Sequence, residues 1–155
     1  MIFKEFTLLL IQQEIVRKYR KNQIGNFGFY ARPTFTEFIQ FIINEDLTGQ
    51  TMDMHWEPVY KFCTPCQFHF NHIIKMETFN RDQEYILEKA GIKHVVGLHK
   101  DNVGRGGQTS QDLTNKYLQE LPPRMYEQLL KIYQIDLDIF GYQAPKFDFE
   151  TQTNN

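Results

Sequence analysis

The stretch from His55 to Cys66, HWEPVYKFCTPC, constrains this chain more than any other. It holds the only tryptophan, both cysteines, a histidine and two of the six prolines. Pro58 and Pro65 each remove a backbone donor, and a continuous helix cannot run through both. The segment reads as an ordered, irregular loop held by Trp56, with a sulfur link as one further tie its cysteines allow. Loops that present polar and aromatic groups from a rigid base are where binding and chemistry concentrate.

The flanking sequence supplies that base. With 155 residues the chain has the length of one domain or part of one. Its 14 phenylalanines and 8 tyrosines point to a packed core. Some of these rings could also stack on sugar C–H faces. The net charge of -2 gives no general attraction to nucleic acid. The apolar run Thr7–Ile11 is too short for a membrane span or a signal-peptide core, and no cleavage site follows it.

Apolar spacing predicts a helix over residues 3–20, with Phe6, Leu9, Leu10, Ile15 and Val16 on one face and a solvated basic end at Arg17, Lys18, Arg20 and Lys21. Thr34 and Glu37 form a capping box before a second helix, whose buried face is Phe35, Phe38, Ile39, Ile42 and Ile43. Residues 47–54 then read as a loop. Phe68–Met76 is the best strand candidate, and His94–Leu98 is a second. A short helix over Asn80–Ala90 ends at Gly91, and another starts near Gln111. Pro122-Pro123 opens the last helix, which carries Tyr126, Leu129, Leu130, Tyr133 and Leu137 and stops at Gly141. The tail after Lys146 reads as polar and frayed. The expected class is α/β, helix-dominated, with one or two short strands.

Several chemistries compete for the motifs. Cys63 and Cys66 could pair with each other, bond a cysteine outside the chain, or remain two buried thiols. Zinc would need two more ligands from His55, His69 or His72, whose spacing does not provide a second pair. No metal is expected at the site. His55 suits deprotonation of a hydroxyl, or else braces its loop through backbone hydrogen bonds. Lys100, Arg105, Thr109 and Ser110 surround three glycines beside a helix start, a workable anion site. No G-x-x-x-x-G-K-[ST] occurs, and a plain surface loop fits the same residues.

The order of these pieces is more specific than any one of them. H-W-x-P-V-Y-x-x-C-x-P-C-Q is followed by Lys75-Met76-Glu77-Thr78, then by Tyr133, Asp136, Phe140-Gly141-Tyr142 and Pro145. Over residues 15–146 this resembles the Golgi carbohydrate sulfotransferases, most closely the group acting on chondroitin, dermatan and related glycans. Phe70-Asn71 stands where that group shows Tyr-Asp, and Ile74 where it shows glycine. The resemblance implies a P-loop-like fold, 3′-phosphoadenylyl sulfate as donor, a glycan acceptor and a Golgi membrane setting. It also implies roles: His55 at the acceptor hydroxyl, Trp56, Lys75 and Glu77 toward the acceptor, and Lys100, Arg105 and Thr109 toward the donor.

The family's phosphosulfate loop and its Arg…Ser grip on the 3′-phosphate have no counterpart in these residues. The chain is therefore expected to be the C-terminal portion of such an enzyme, over residues 1–146 with a polar tail at 147–155, and inactive alone. A non-catalytic glycan- or partner-binding module, or a small zinc domain on Cys63 and Cys66, would account for the same loop.

Overall fold

The computed structural model describes residues 2–20, 31–96, 110–147 and 149, with α1 side chains from Leu9 onward. Six α-helices account for most of them: α1 (Ile2–Tyr19), α2 (Phe35–Thr48), α3 (Val59–Phe62), α4 (Phe79–Lys89), α5 (Gln111–Gln119) and α6 (Pro123–Phe140). A single 3₁₀ turn, Met76–Thr78, precedes α4. The chain divides into two compact units, residues 1–63 with 111–155, and residues 64–110.

The first unit is built on α2 against α6. The capping box forms as its sequence requires: the Glu37 amide donates to Thr34 Oγ1 at 3.2 Å, and the Thr34 amide donates to Glu37 Oε2 at 2.7 Å. α2 then runs through Glu45 and Asp46 and ends at Gly49, which takes the left-handed φ of 65°. The helix is longer than the polar composition of residues 47 and 48 implied. Ile39, Ile42 and Ile43 on α2 meet Tyr126, Leu129 and Ile132 on α6, with Met52 and Leu121 completing the core. Each such side chain, removed from water, contributes roughly 1.5–3 kcal/mol. α6 begins on Pro123 and ends at Gly141, again left-handed.

α1 lies against α2 and buries Ile15 and Val16, whereas Leu10 is half exposed. Its basic end is not simply solvated. Arg20 grips Glu37 with two nitrogens at 2.5 Å, joining the end of α1 to the start of α2. Past α6, Phe147 and Phe149 fold back so that their ring centroids lie 5.3 and 5.9 Å from that of Tyr126. Tyr126 in turn donates its hydroxyl to the Pro145 carbonyl at 2.6 Å. Phe147 and Phe149 are thus docked on Tyr126, and the other residues of the expected polar tail lie outside the described residues.

The second unit contradicts the strand expectation. Among the described residues there is no strand. Residues 68–75 have no regular secondary structure, and Phe68, Phe70 and Ile73 are exposed. β-forming side chains supply shape for a sheet, but a strand exists only when a neighbour takes its N–H and C=O groups. Residues 93–96 are turn and bend, and the rest of the second candidate lies outside the described residues. α4 forms as expected and closes at Gly91, φ 68°. Lys93 ties the turn beyond it to Glu84 at 2.7 Å and to Glu88.

Candidate functional site

The His55 loop leaves α2 at Gly49 and is anchored from both of its neighbours. Met52, buried, holds its base. The Trp56 indole stands edge-on to Phe38 and Phe41 of α2, with centroids 5.5 and 6.1 Å away. Its Nε1–H donates to Glu45 Oε2 at 2.7 Å. Glu45 is buried, and burial is the main reason its carboxyl sits above the ordinary glutamate value. The charges of Glu14 and Asp53 push the same way, while the indole bond opposes them. Trp56 is therefore packed into the loop's support, one of the two roles its chemistry allowed.

α6 holds the other side. The Tyr133 hydroxyl donates to the Trp56 carbonyl at 2.5 Å. Burial first, then the nearby Asp136, Glu45 and Asp46 charges, push that phenol up to about 12. One turn further along, buried Asp136 receives the backbone N–H of Val59 at 2.7 Å and of Tyr60 at 2.8 Å. These amides open α3, the single turn that fits between Pro58 and Pro65. A carboxylate at that point satisfies donors with no partner inside so short a helix.

His55 itself is exposed, its side chain 64% accessible, and it borders an open groove of about 440 Å³. Trp56, Val59, Phe38, Leu129 and Tyr133 make most of that groove apolar, with Glu57 and Asp136 among its polar groups. Asp53 organises the histidine. Its Oδ1 accepts the His55 backbone N–H at 2.9 Å and faces His55 Nδ1 at 2.5 Å. Its carbonyl accepts the amides of Trp56 at 3.0 Å and Glu57 at 2.9 Å. The His55 amide bond lowers the Asp53 carboxyl below the ordinary aspartate value, and the imidazole lowers it further. Sequence reasoning missed Asp53, although an aspartate two residues before a histidine is the spacing of an Asx turn.

Other expected site residues belong to the second unit or lie outside the described residues. Lys75 precedes the 3₁₀ turn of the second unit and Glu77 lies within it. Thr78 there donates to Asp82, and this bond leads the causes that lower the Asp82 carboxyl. Lys100, Arg105 and Thr109 lie outside the described residues. Cys63 and Cys66 are both free and both exposed, so no link joins them in this structure, and the alternative of two buried thiols is also overturned. Among the described residues no three His, Cys, Asp or Glu side chains gather as metal ligands. No helix there is long and apolar enough to cross a membrane.

Comparison with known proteins adds a family to this geometry. Carbohydrate sulfotransferase 14 of Danio rerio is 32% identical over 133 residues, covering 85% of this chain and 35% of the relative. Carbohydrate sulfotransferase 11 of Mus musculus is 27% identical over 136 residues, covering 86% and 38%. Carbohydrate sulfotransferase 10 of Xenopus laevis is 29% identical over 144 residues, covering 90% and 39%. The chain thus spans a little over a third of the length of these curated relatives. No solved structure matches it. A sequence model of the sulfotransferase family matches residues 3–143, which include the whole anchored loop and both helices that hold it. The chain belongs to the sulfotransferase family.

Proposed function

We propose that this chain is the acceptor-side portion of a carbohydrate sulfotransferase, with His55 as the base that takes the proton of a glycan hydroxyl. One observation carries the reading: the family match spans the loop that sets an exposed histidine beside an apolar, aromatic-walled groove. Sugar C–H faces suit such a wall, and the imidazole suits a hydroxyl brought to its edge. The donor, 3′-phosphoadenylyl sulfate, supplies the sulfonate. The chain's own part is to seat the acceptor, hold His55 and receive the proton. The acceptor class we favour is chondroitin or dermatan, and the setting a Golgi lumen. Names of the relatives support the carbohydrate, and the HWEPVYKFCTPC block supports the finer class by its resemblance.

Lys75 and Glu77 are assigned to the acceptor, and Lys100, Arg105 and Thr109 to the donor, on the same resemblance. A disulfide from Cys63 or Cys66 to a cysteine outside the chain belongs to this reading, since both thiols are exposed. Sulfonate transfer depends on donors and positive charge around the moving group, and losing one such donor commonly costs ~10²–10³ in rate. These 155 residues contain no phosphosulfate loop, so the isolated chain turns over negligibly. The test is sulfonate incorporation from labelled donor into desulfated chondroitin and dermatan. The chain is assayed alone and fused behind the remaining length of a carbohydrate sulfotransferase relative. Activity in the fusion, lost with His55→Ala, is the expected result. Equal activity with His55→Ala, or robust turnover by the chain alone, would refute the reading.

A further inference from the structure

We propose that Asp53 is a positioning residue that fixes the tautomer of His55, committing Nδ1 to a proton and leaving Nε2 as the free basic nitrogen at the groove. The inference rests on the acceptor-side reading only for what Nε2 is for; the pairing itself stands on geometry. Asp53 Oδ1 lies 2.5 Å from His55 Nδ1 and also holds the His55 amide at 2.9 Å. Ring and backbone are thus tied to one oxygen. A carboxylate accepts and does not donate, so the shared proton belongs on Nδ1. The second ring nitrogen then keeps its lone pair.

The surroundings keep that arrangement in place. The Asp53 backbone is held, because its carbonyl accepts the amides of Trp56 and Glu57, and its carboxylate is held by the His55 amide. Other acidic groups near the loop have separate duties. Glu45 of α2 takes the Trp56 indole, and Asp136 of α6 takes the amides of Val59 and Tyr60. Tyr133 donates its proton to the Trp56 carbonyl. Glu57 borders the groove on the loop itself. Of these groups only Asp53 is bonded to the imidazole. In the reaction, the acceptor O–H bond breaks as an Nε2–H bond forms, and the oxygen's electron pair makes the new bond to the sulfonate sulfur. The bond from that sulfur to the donor's phosphate oxygen breaks, and its electron pair leaves with adenosine 3′,5′-bisphosphate. The opposite tautomer presents an N–H where the hydroxyl proton must be received, and is unproductive.

The test is long-range ¹H–¹⁵N spectroscopy of the imidazoles in the 155-residue chain, with His55 assigned by H55Q. In the neutral imidazole of the wild-type chain, His55 is expected to carry its proton on Nδ1. Asp53→Ala shifts the ratio toward the Nε2–H form on the order of tenfold, as loss of one hydrogen bond to a charged acceptor implies. Asp53→Asn retains the wild-type tautomer, because an amide oxygen can still accept. Far-ultraviolet circular dichroism reports whether each variant is folded. A wild-type His55 protonated on Nε2, or an unchanged ratio in folded Asp53→Ala, overturns the assignment. The readout needs no substrate. Failure of the acceptor reading would appear separately, as His55 resonances that do not move when desulfated chondroitin oligosaccharide is added.

Discussion

Asp136 on α6 receives the amide of Val59 at 2.7 Å across 77 positions of sequence. It takes the Tyr60 amide with its other oxygen. Both carboxylate oxygens are thereby used, and the side chain is buried. Replacing Asp136 by Ala leaves two amides without an acceptor at the foot of α3. The expected loss is about 2–3 kcal/mol in urea unfolding. Asp136→Asn keeps one acceptor and should lose less.

Glu45 behaves differently because its charge is unfavourable where it sits. Its folded-state carboxyl lies above the ordinary glutamate value, chiefly through burial. Its contribution is therefore most favourable below the ordinary glutamate range and is lost as pH rises through the raised value. Glu45→Gln keeps an oxygen for the Trp56 indole and removes that loss, so its stability at pH 7 should equal or exceed wild type. Glu45→Ala strands the indole N–H and should cost about 1–3 kcal/mol. Denaturant midpoints at pH 4 and pH 7 separate the two effects.

The Arg20–Glu37 pair has the opposite sign. Hydrogen bonds from Arg20 lead the causes that hold the Glu37 carboxyl below the ordinary glutamate value. Its stabilisation is present above the ordinary glutamate range and disappears as pH falls through the depressed value. Glu37→Gln should lower stability by about 1 kcal/mol at pH 7, since the pair lies near the surface. Melting temperatures of variant and wild type should converge on acidification, which a pH series of thermal melts would show.

Docking of Phe147 and Phe149 on Tyr126 gives a further expectation. Deleting residues 147–155 removes two rings packed against the core, at a cost of about 1–3 kcal/mol. Phe147→Ala should reproduce part of that loss. Equal unfolding midpoints for the truncated and complete chains would show that the docking contributes nothing.

Local signals revealed the helices because their causes are local. Thr34 and Glu37 announced α2, Pro123 opened α6, and Gly91 and Gly141 closed their helices, as short-range sterics and capping require. Residues 68–76 misled because β-branched and aromatic side chains mark a surface fit for a sheet without supplying the neighbouring strand. The site was half legible. Trp56 and His55 stood out by composition, and Tyr133 and Asp136 by resemblance. Glu45 carried no local signal because its partner is set by packing, whereas the Asx-turn spacing of Asp53 before His55 is a local one. Nothing in the local pattern at Glu45 points to an indole 11 positions away.

The polar ties to the His55 loop have a mechanical corollary. Glu45, Tyr133 and Asp136 fasten it to two helices, not to one. A slide of one helix along the other would tug the tryptophan carbonyl and the first amides of α3 in different directions. The histidine's address is thus a triangulated coordinate. Substitutions in the helix seam outside the groove, such as at Ile43 or Ile132, should displace it as surely as changes made beside it.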